Sequence, residues 1–307
     1  MLADQEEVRV VLLDGQSTGR SRSLISAFVH RVYAFLCAEA GQQMVDAGWG
    51  QLFVAALGGG STVKILDIAY QEWRKRREKS DSAEQFVDRH LDPLLKAADE
   101  LVGKLRSLAE DDFKAIHSVT PDDSRLENHD FASLLYLFGC FWVQVEVIRQ
   151  EGMSVAMAKD ERGLRLQKFF DCLEGRRVRI LPRVLQRAVG ETFRTETGAK
   201  TFVEFVAAFE ENEGFRRWIM PLATFLSRTE HTTERQQLLQ YGVVVHAMID
   251  LLDPTHSITR ERPSMPNKLT TKSWRALNYR VFGVYLTFVK DRQKYIGPPR
   301  RRPERKG

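Results

Sequence analysis

Apolar residues recur three and four positions apart over most of this chain, and the strict alternation of a strand is nearly absent. The pattern predicts an all-α fold, an irregular multi-helix bundle with a long N-terminal helix and a disordered basic C-terminal tail. The exception is Val8-Arg9-Val10-Val11-Leu12-Leu13, a lone strand or a disordered leader. Helices are predicted over Ser23–Val45 and from Ser61 to about His90. Asp92-Pro93 reads as a restart, since Asp caps and Pro suits a first helical turn. Leu94, Leu95, Ala98, Leu101, Val102, Leu105 and Leu108 then form an amphipathic face.

Residues 109–130 are polar and acidic, as in a loop. Phe131–Val155 is the most hydrophobic helix of the body, interrupted on one side by Gln144, Glu146, Arg149 and Glu151. Those charges favour a buried core helix over a membrane span. Further helices are predicted near 160–174, 178–194, 214–228 and 233–252, the last ending at Asp253-Pro254. Thr201 and Glu204 form a capping box, with Phe202, Phe205, Val206 and Phe209 as the core face behind it. Thr255–Thr270 is a proline-containing loop and Lys272–Tyr295 a last long helix. The organisation expected is an N-terminal extension over 1–48, an apolar and basic foot over 49–81, a helical body over 82–296 and a basic tail over 297–307.

Formal net charge is +5, of which the tail supplies +4, so the remainder is close to neutral. That balance argues against a basic nucleic-acid-binding face on the body. Cys37, Cys140 and Cys172 are far apart, lack metal-ligand spacing and read as buried thiols of a reducing compartment. Met1–Gly19 has no basic stretch leading into an apolar run, so no secretory signal is expected.

The foot changes character abruptly. Gln51–Leu57 is apolar, Gly58-Gly59-Gly60 breaks it, and the following helix runs into Trp73-Arg74-Lys75-Arg76-Arg77. A spanning helix needs about 20 apolar residues; three glycines at about 1 kcal/mol each make this stretch marginal. Arg74, Lys75, Arg76 and Arg77, with Arg300, Arg301 and Arg302, suit an anionic membrane surface; if the stretch spans, Arg74–Arg77 mark the cytoplasmic side and place the body there.

Three stretches together carry a resemblance. Val87–Leu101 follows the basic block; Leu134–Glu151 is similar to a "WVEILRRE" helix; Val244–Pro254 is similar to a "HALVDLIDFLDP" segment. In this order, over about residues 50–255, the chain resembles helical actinobacterial-type proteins of unknown function that carry a short N-terminal membrane segment. The resemblance implies a fold and a membrane foot, and no activity. Residues 1–43 have no counterpart in that group, so Met44 is expected to be the native start.

Candidate chemistry is sparse. Arg125 and His129 have the wrong spacing for a helical ribonuclease pair, and Arg22 and His30 are too far apart. Asp111, Asp112, His117, Asp122, Asp123, Glu127, His129 and Asp130 offer metal ligands without a defined register, which reads as a solvated acidic loop. Gly58–Lys64 has its lysine out of place for a phosphate loop. Glu146 and Arg149 suggest a partly buried pair fixing helix register. His246 reads as a satisfied core histidine, and Trp142, Trp218 and Trp274 as core anchors. No catalytic, cofactor or metal residue is therefore assigned. The expected function is a non-catalytic scaffold or interaction protein, membrane-associated, with a protein partner or self-association. The alternative is an enzyme or nuclease-type effector whose site assembles from distant residues.

Overall fold

The computed structural model describes residues 61–117, 119–120, 126–151, 160–196 and 198–298, with side chains at residue 85 and from residue 87 onwards. The expected strand at 8–13, the helix at 23–45, the foot at 49–60, Cys37, Asp122, Asp123, Arg125 and the tail from residue 299 lie outside the described residues. So do the side chains of Arg74, Lys75, Arg76 and Arg77. The chain divides after Glu72 into two units, and the packing below belongs to the second.

The fold is all-α. Helix α1 runs over Ser61–Glu110, α2 over His129–Glu151, α3 over Glu161–Leu173 and α4 over Arg183–Phe193. A two-residue antiparallel pair follows, β1 (Arg194–Thr195) and β2 (Gly198–Ala199). Then come α5 (Phe202–Glu211), α6 (Glu213–Ser227) and α7 (Thr232–Leu252). The C-terminal segment holds α8 (Thr271–Arg275), a π-helix over Ala276–Tyr285 and α9 (Gln293–Ile296).

Pro93 does not restart a helix; it lies inside α1. A proline in a helix interior forfeits one backbone bond and costs about 3 kcal/mol. Pro93 is exposed, so the freed Arg89 carbonyl lies on the side nearest water. Leu91, Leu94, Leu95, Ala98 and Leu101 carry one buried stripe straight past it. At about 1.5–3 kcal/mol for each fully buried leucine, that stripe outweighs the proline.

Among the described residues α2 is long and apolar enough to cross a membrane, yet 72 % of that stretch is buried within the protein. It packs on α4 through two glycines. A Cβ on Gly190 would lie 2.8 Å from the Trp142 carbonyl oxygen, and one on Gly139 would lie 2.2 Å from the Phe193 ring. Phe193 in turn stacks on Phe205 at 5.3 Å, joining α4 to α5. The Thr201 capping box is complete: its hydroxyl accepts from the Glu204 N–H at 3.3 Å, and the Thr201 N–H donates to the Glu204 carboxylate at 2.7 Å.

Four further expectations are corrected. Trp218 is 45 % exposed on α6 and anchors no core, whereas Trp142 and Trp274 are buried. Phe202 lies at the surface edge, with its ring against Tyr136. The helix foreseen from 178 begins at Arg183, because Pro182 takes the N-cap position and residues 176–181 form turns. The last long helix is broken. After α8 the bonding widens to i+5, as in Leu286 N–H to Val281 C=O at 2.9 Å, and the chain turns before α9. That turn folds Leu286, Val289, Tyr295 and Ile296 into the core, which a straight helix would carry away from it.

Candidate functional site

Three places concentrate polar chemistry. The first lies where α2, the end of α3 and α4 meet. Arg149 bridges two buried carboxylates, with Nη1 2.6 Å from Glu146 and Nη2 2.6 Å from Glu174. Arg183 and Arg187 reach Glu174 from α4, at 3.0 and 3.2 Å. The Glu146–Arg149 pair read from the sequence is present; Glu174, which completes it, is 25 residues farther along the chain. Burial pushes the Glu146 carboxyl up, and Arg149 and Arg187 pull it back. Both acids are occupied acceptors of guanidinium bonds, so the cluster fixes helix register rather than offering a general base.

The second centres on Asp250, on the inner face of α7. Lys294 Nζ lies 2.5 Å from its carboxylate and the Tyr295 hydroxyl donates to it at 3.0 Å. His246 Nε2 and His256 Nε2 both lie 3.6 Å from the other oxygen, too far for direct hydrogen bonds. The imidazole of His246 meets the Tyr295 ring edge to face at 5.5 Å. Burial, then Lys294 and His256, hold His246 below its ordinary pKa, while Asp250 and the Arg262 backbone oppose them. His246 is indeed a core histidine, 6 % exposed, but it is not satisfied: its Nε2 has no hydrogen-bond partner.

His246 also lines a pocket between α1 and α7, roofed by Pro263, Ser264 and Met265. Its enclosed volume is about 50 Å³, opening into a wider mouth. The walls are apolar except for His246, Ser264 and Arg106. One side of the roof is latched, for Arg262 forks onto Asp99 with bonds of 2.7 and 2.9 Å. Gly103 lets that guanidinium lie across α1; a Cβ there would meet it at 2.9 Å.

The third place is an exposed face of the C-terminal segment. Arg275, Tyr279, Arg280, Val284 and Tyr285 are all exposed along this segment. Tyr279, Val284 and Tyr285 are 63, 64 and 53 % exposed. The segment 271–296 carries Lys272, Arg275, Arg280, Lys290, Arg292 and Lys294 against Asp291 alone.

The acidic-loop residues scatter. Asp130 pairs with Lys104 at 2.6 Å and Asp112 with Lys268 at 3.3 Å, and His129 is exposed at the start of α2. Among the described residues no group of three His, Cys, Asp or Glu could hold a metal ion. Cys140 and Cys172 are buried free thiols, pushed up to about 11 and about 12 by burial. The pocket, the Asp250 cluster and the Glu174 bridges escape sequence reading because each joins residues from separate helices. The basic bias of 271–296 was legible in the residues themselves. No protein-family model, no curated protein and no solved structure matches this chain.

Proposed function

We propose that this protein is a non-catalytic interaction protein that works at an anionic membrane surface, docking through its C-terminal segment. The observation that carries the reading is the pairing of protruding Tyr279, Val284 and Tyr285 with exposed Lys272, Arg275, Arg280 and Lys290. Tyrosines sit well at the headgroup level, a protruding valine gains from leaving water, and basic residues meet anionic lipid. Each Lys or Arg near such a surface contributes about 1 kcal/mol. The tail that follows, with Arg300, Arg301 and Arg302, extends the same charge along the sequence, and Arg74–Arg77 adds a second basic block. The protruding valine favours lipid over nucleic acid, which has no use for an aliphatic side chain between two tyrosines.

Co-sedimentation with vesicles of phosphatidylcholine alone, or mixed with phosphatidylglycerol, tests this. Binding should require the anionic lipid and weaken with salt. It should fall further in Arg275→Glu/Arg280→Glu and in Tyr279→Ser/Val284→Ser, with melting temperatures unchanged. Equal binding to both vesicle types overturns the reading. So does tight binding to a single-stranded oligonucleotide with none to the anionic vesicles.

A further inference from the structure

We propose that the pocket between α1 and α7 is a binding site for an apolar monocarboxylate, with the carboxylate on Arg106 and the hydrocarbon body against Leu105, Leu239, Val243 and Met265. This site is separate from the membrane-facing segment and stands without it.

The room is built into the helices. Val102, Leu105, Arg106 and Ala109 line the pocket from α1, and Leu238, Leu239, Gly242, Val243 and His246 from α7. Such a run at three-and-four spacing on both helices would ordinarily interdigitate. At Gly242 no side chain projects, and Leu105 packs into that gap, its Cδ1 3.3 Å from where a Cβ would lie, so the open space is left beside this contact. The enclosed space takes only part of a ligand, whose remainder extends along the open mouth, and mostly apolar walls with a few polar groups are the usual lining of a small-molecule site. Met265 on the roof is a side chain that adapts to the shape of what it covers.

Arg106 decides the head group. Its guanidinium is charged at any ordinary pH, yet its Nε is buried and has no hydrogen-bond partner. The nearest carboxylate, Glu110, is 3.6 Å from Nη2 and its side chain is 61 % exposed. So loose a surface pair is readily exchanged for a bidentate carboxylate. The other polar wall offers an anion no free cation: the Asp250 carboxylate behind His246 is already paired with Lys294 at 2.5 Å. An anionic head is attracted at Arg106, the one cation among the described residues of the pocket's lining, which orients the ligand with its body along the apolar walls.

Calorimetry on the full chain with decanoate and with decanol, both kept below micelle formation, tests the assignment. Decanoate should bind about once per chain and about tenfold more tightly than decanol, the margin of one charge-assisted bond. Arg106→Met keeps the apolar stem and should bring the two ligands level. Val243→Phe, at the half-exposed lip, should plug the pocket and lose both while circular dichroism is unchanged. Failure of the wild-type chain to bind decanoate overturns the proposal. Equal affinity for acid and alcohol overturns it too, as does binding that survives in both variants at many molecules per chain.

Discussion

The indole N–H of Trp142 donates to the hydroxyl of Tyr241 over 2.8 Å, a bond that ties α2 to α7 inside the core. Trp142 is 3 % exposed and Tyr241 fully buried, with Phe138 against both rings at 5.3 and 5.7 Å. Truncating Trp142 to Ala should cost about 3–5 kcal/mol through lost burial and the cavity left behind. Trp142→Phe keeps most of the bulk but strands the Tyr241 hydroxyl, at about 1–3 kcal/mol. Tyr241→Phe strands the indole instead, so the double variant should recover part of the loss. Urea denaturation of the four proteins measures the coupling; strict additivity would mean that the bond contributes nothing.

Glycine at 190 should matter more than its helix propensity. Alanine there gains about 1 kcal/mol of propensity, but its Cβ would lie 2.8 Å from the Trp142 carbonyl oxygen and 2.9 Å from its carbon. Backbone cannot step aside as a side chain can, and overpacking costs about 1–3 kcal/mol or more. Gly190→Ala should therefore be net destabilising. Gly242→Ala, whose nearest neighbour is the end of Leu105 at 3.3 Å, should be neutral or mildly stabilising. Thermal melts should show a loss for Gly190→Ala and none for Gly242→Ala, and a gain in both would refute the close α2–α4 contact.

What can be read from the chain is what neighbours in sequence decide. The Thr201–Glu204 box and the end of α7 at Asp253 are local arrangements, and both stand where the residues put them. Asp253 ends its helix by accepting from the N–H groups of Ser257, Ile258 and Thr259 at 2.9 to 3.0 Å, all within six residues. Trp142 and Trp218 look alike in their own helices. Only the approach of α4 and α7 covers the first, while nothing covers the second so fully. Pro93 gives a true local signal, but the leucine stripe through it overrides that signal. The pocket is the hardest case, because its lining is the same set of leucines and valines that elsewhere fills the core.

Glu174 should be the costliest member of the ionic cluster to remove. Its carboxylate is 6 % exposed and accepts from Arg149, Arg183 and Arg187. Breaking a buried pair from one side costs about 3–5 kcal/mol, and partial hydration of the three arginines reduces this to about 2–3 for Glu174→Ala. Arg183, 52 % exposed, is the least buried partner; Arg183→Ala should cost under about 1 kcal/mol. Denaturant midpoints of the two variants check the ranking, and equal losses would show that the cluster is not organised around Glu174.

Stability should fall as pH drops below about 6.5, and His246 should carry part of that fall. The native fold holds its imidazole below the ordinary value of 6.5, chiefly by burial. Lys294 and His256 reinforce the shift; Asp250 and the Arg262 backbone limit it. An unfolded chain takes up the proton near 6.5, so between the two pKa values the unfolded state binds more protons and acid favours it. His90 has the same sign, again mainly from burial. Asp253 also loses stability in acid but only far lower, since the backbone and hydroxyl bonds on its carboxylate hold it well below the usual range. Glu146 has the opposite sign, for its raised carboxyl makes the fold relatively more stable as pH falls towards 4.5. Just below 6.5 both histidines favour unfolding as pH falls. Urea midpoints at about pH 7.5 and about pH 5.5 should drop for the native chain and drop less for His246→Gln. A variant with an undiminished drop would place the titrating group elsewhere, and His90→Gln would then be the next chain to measure.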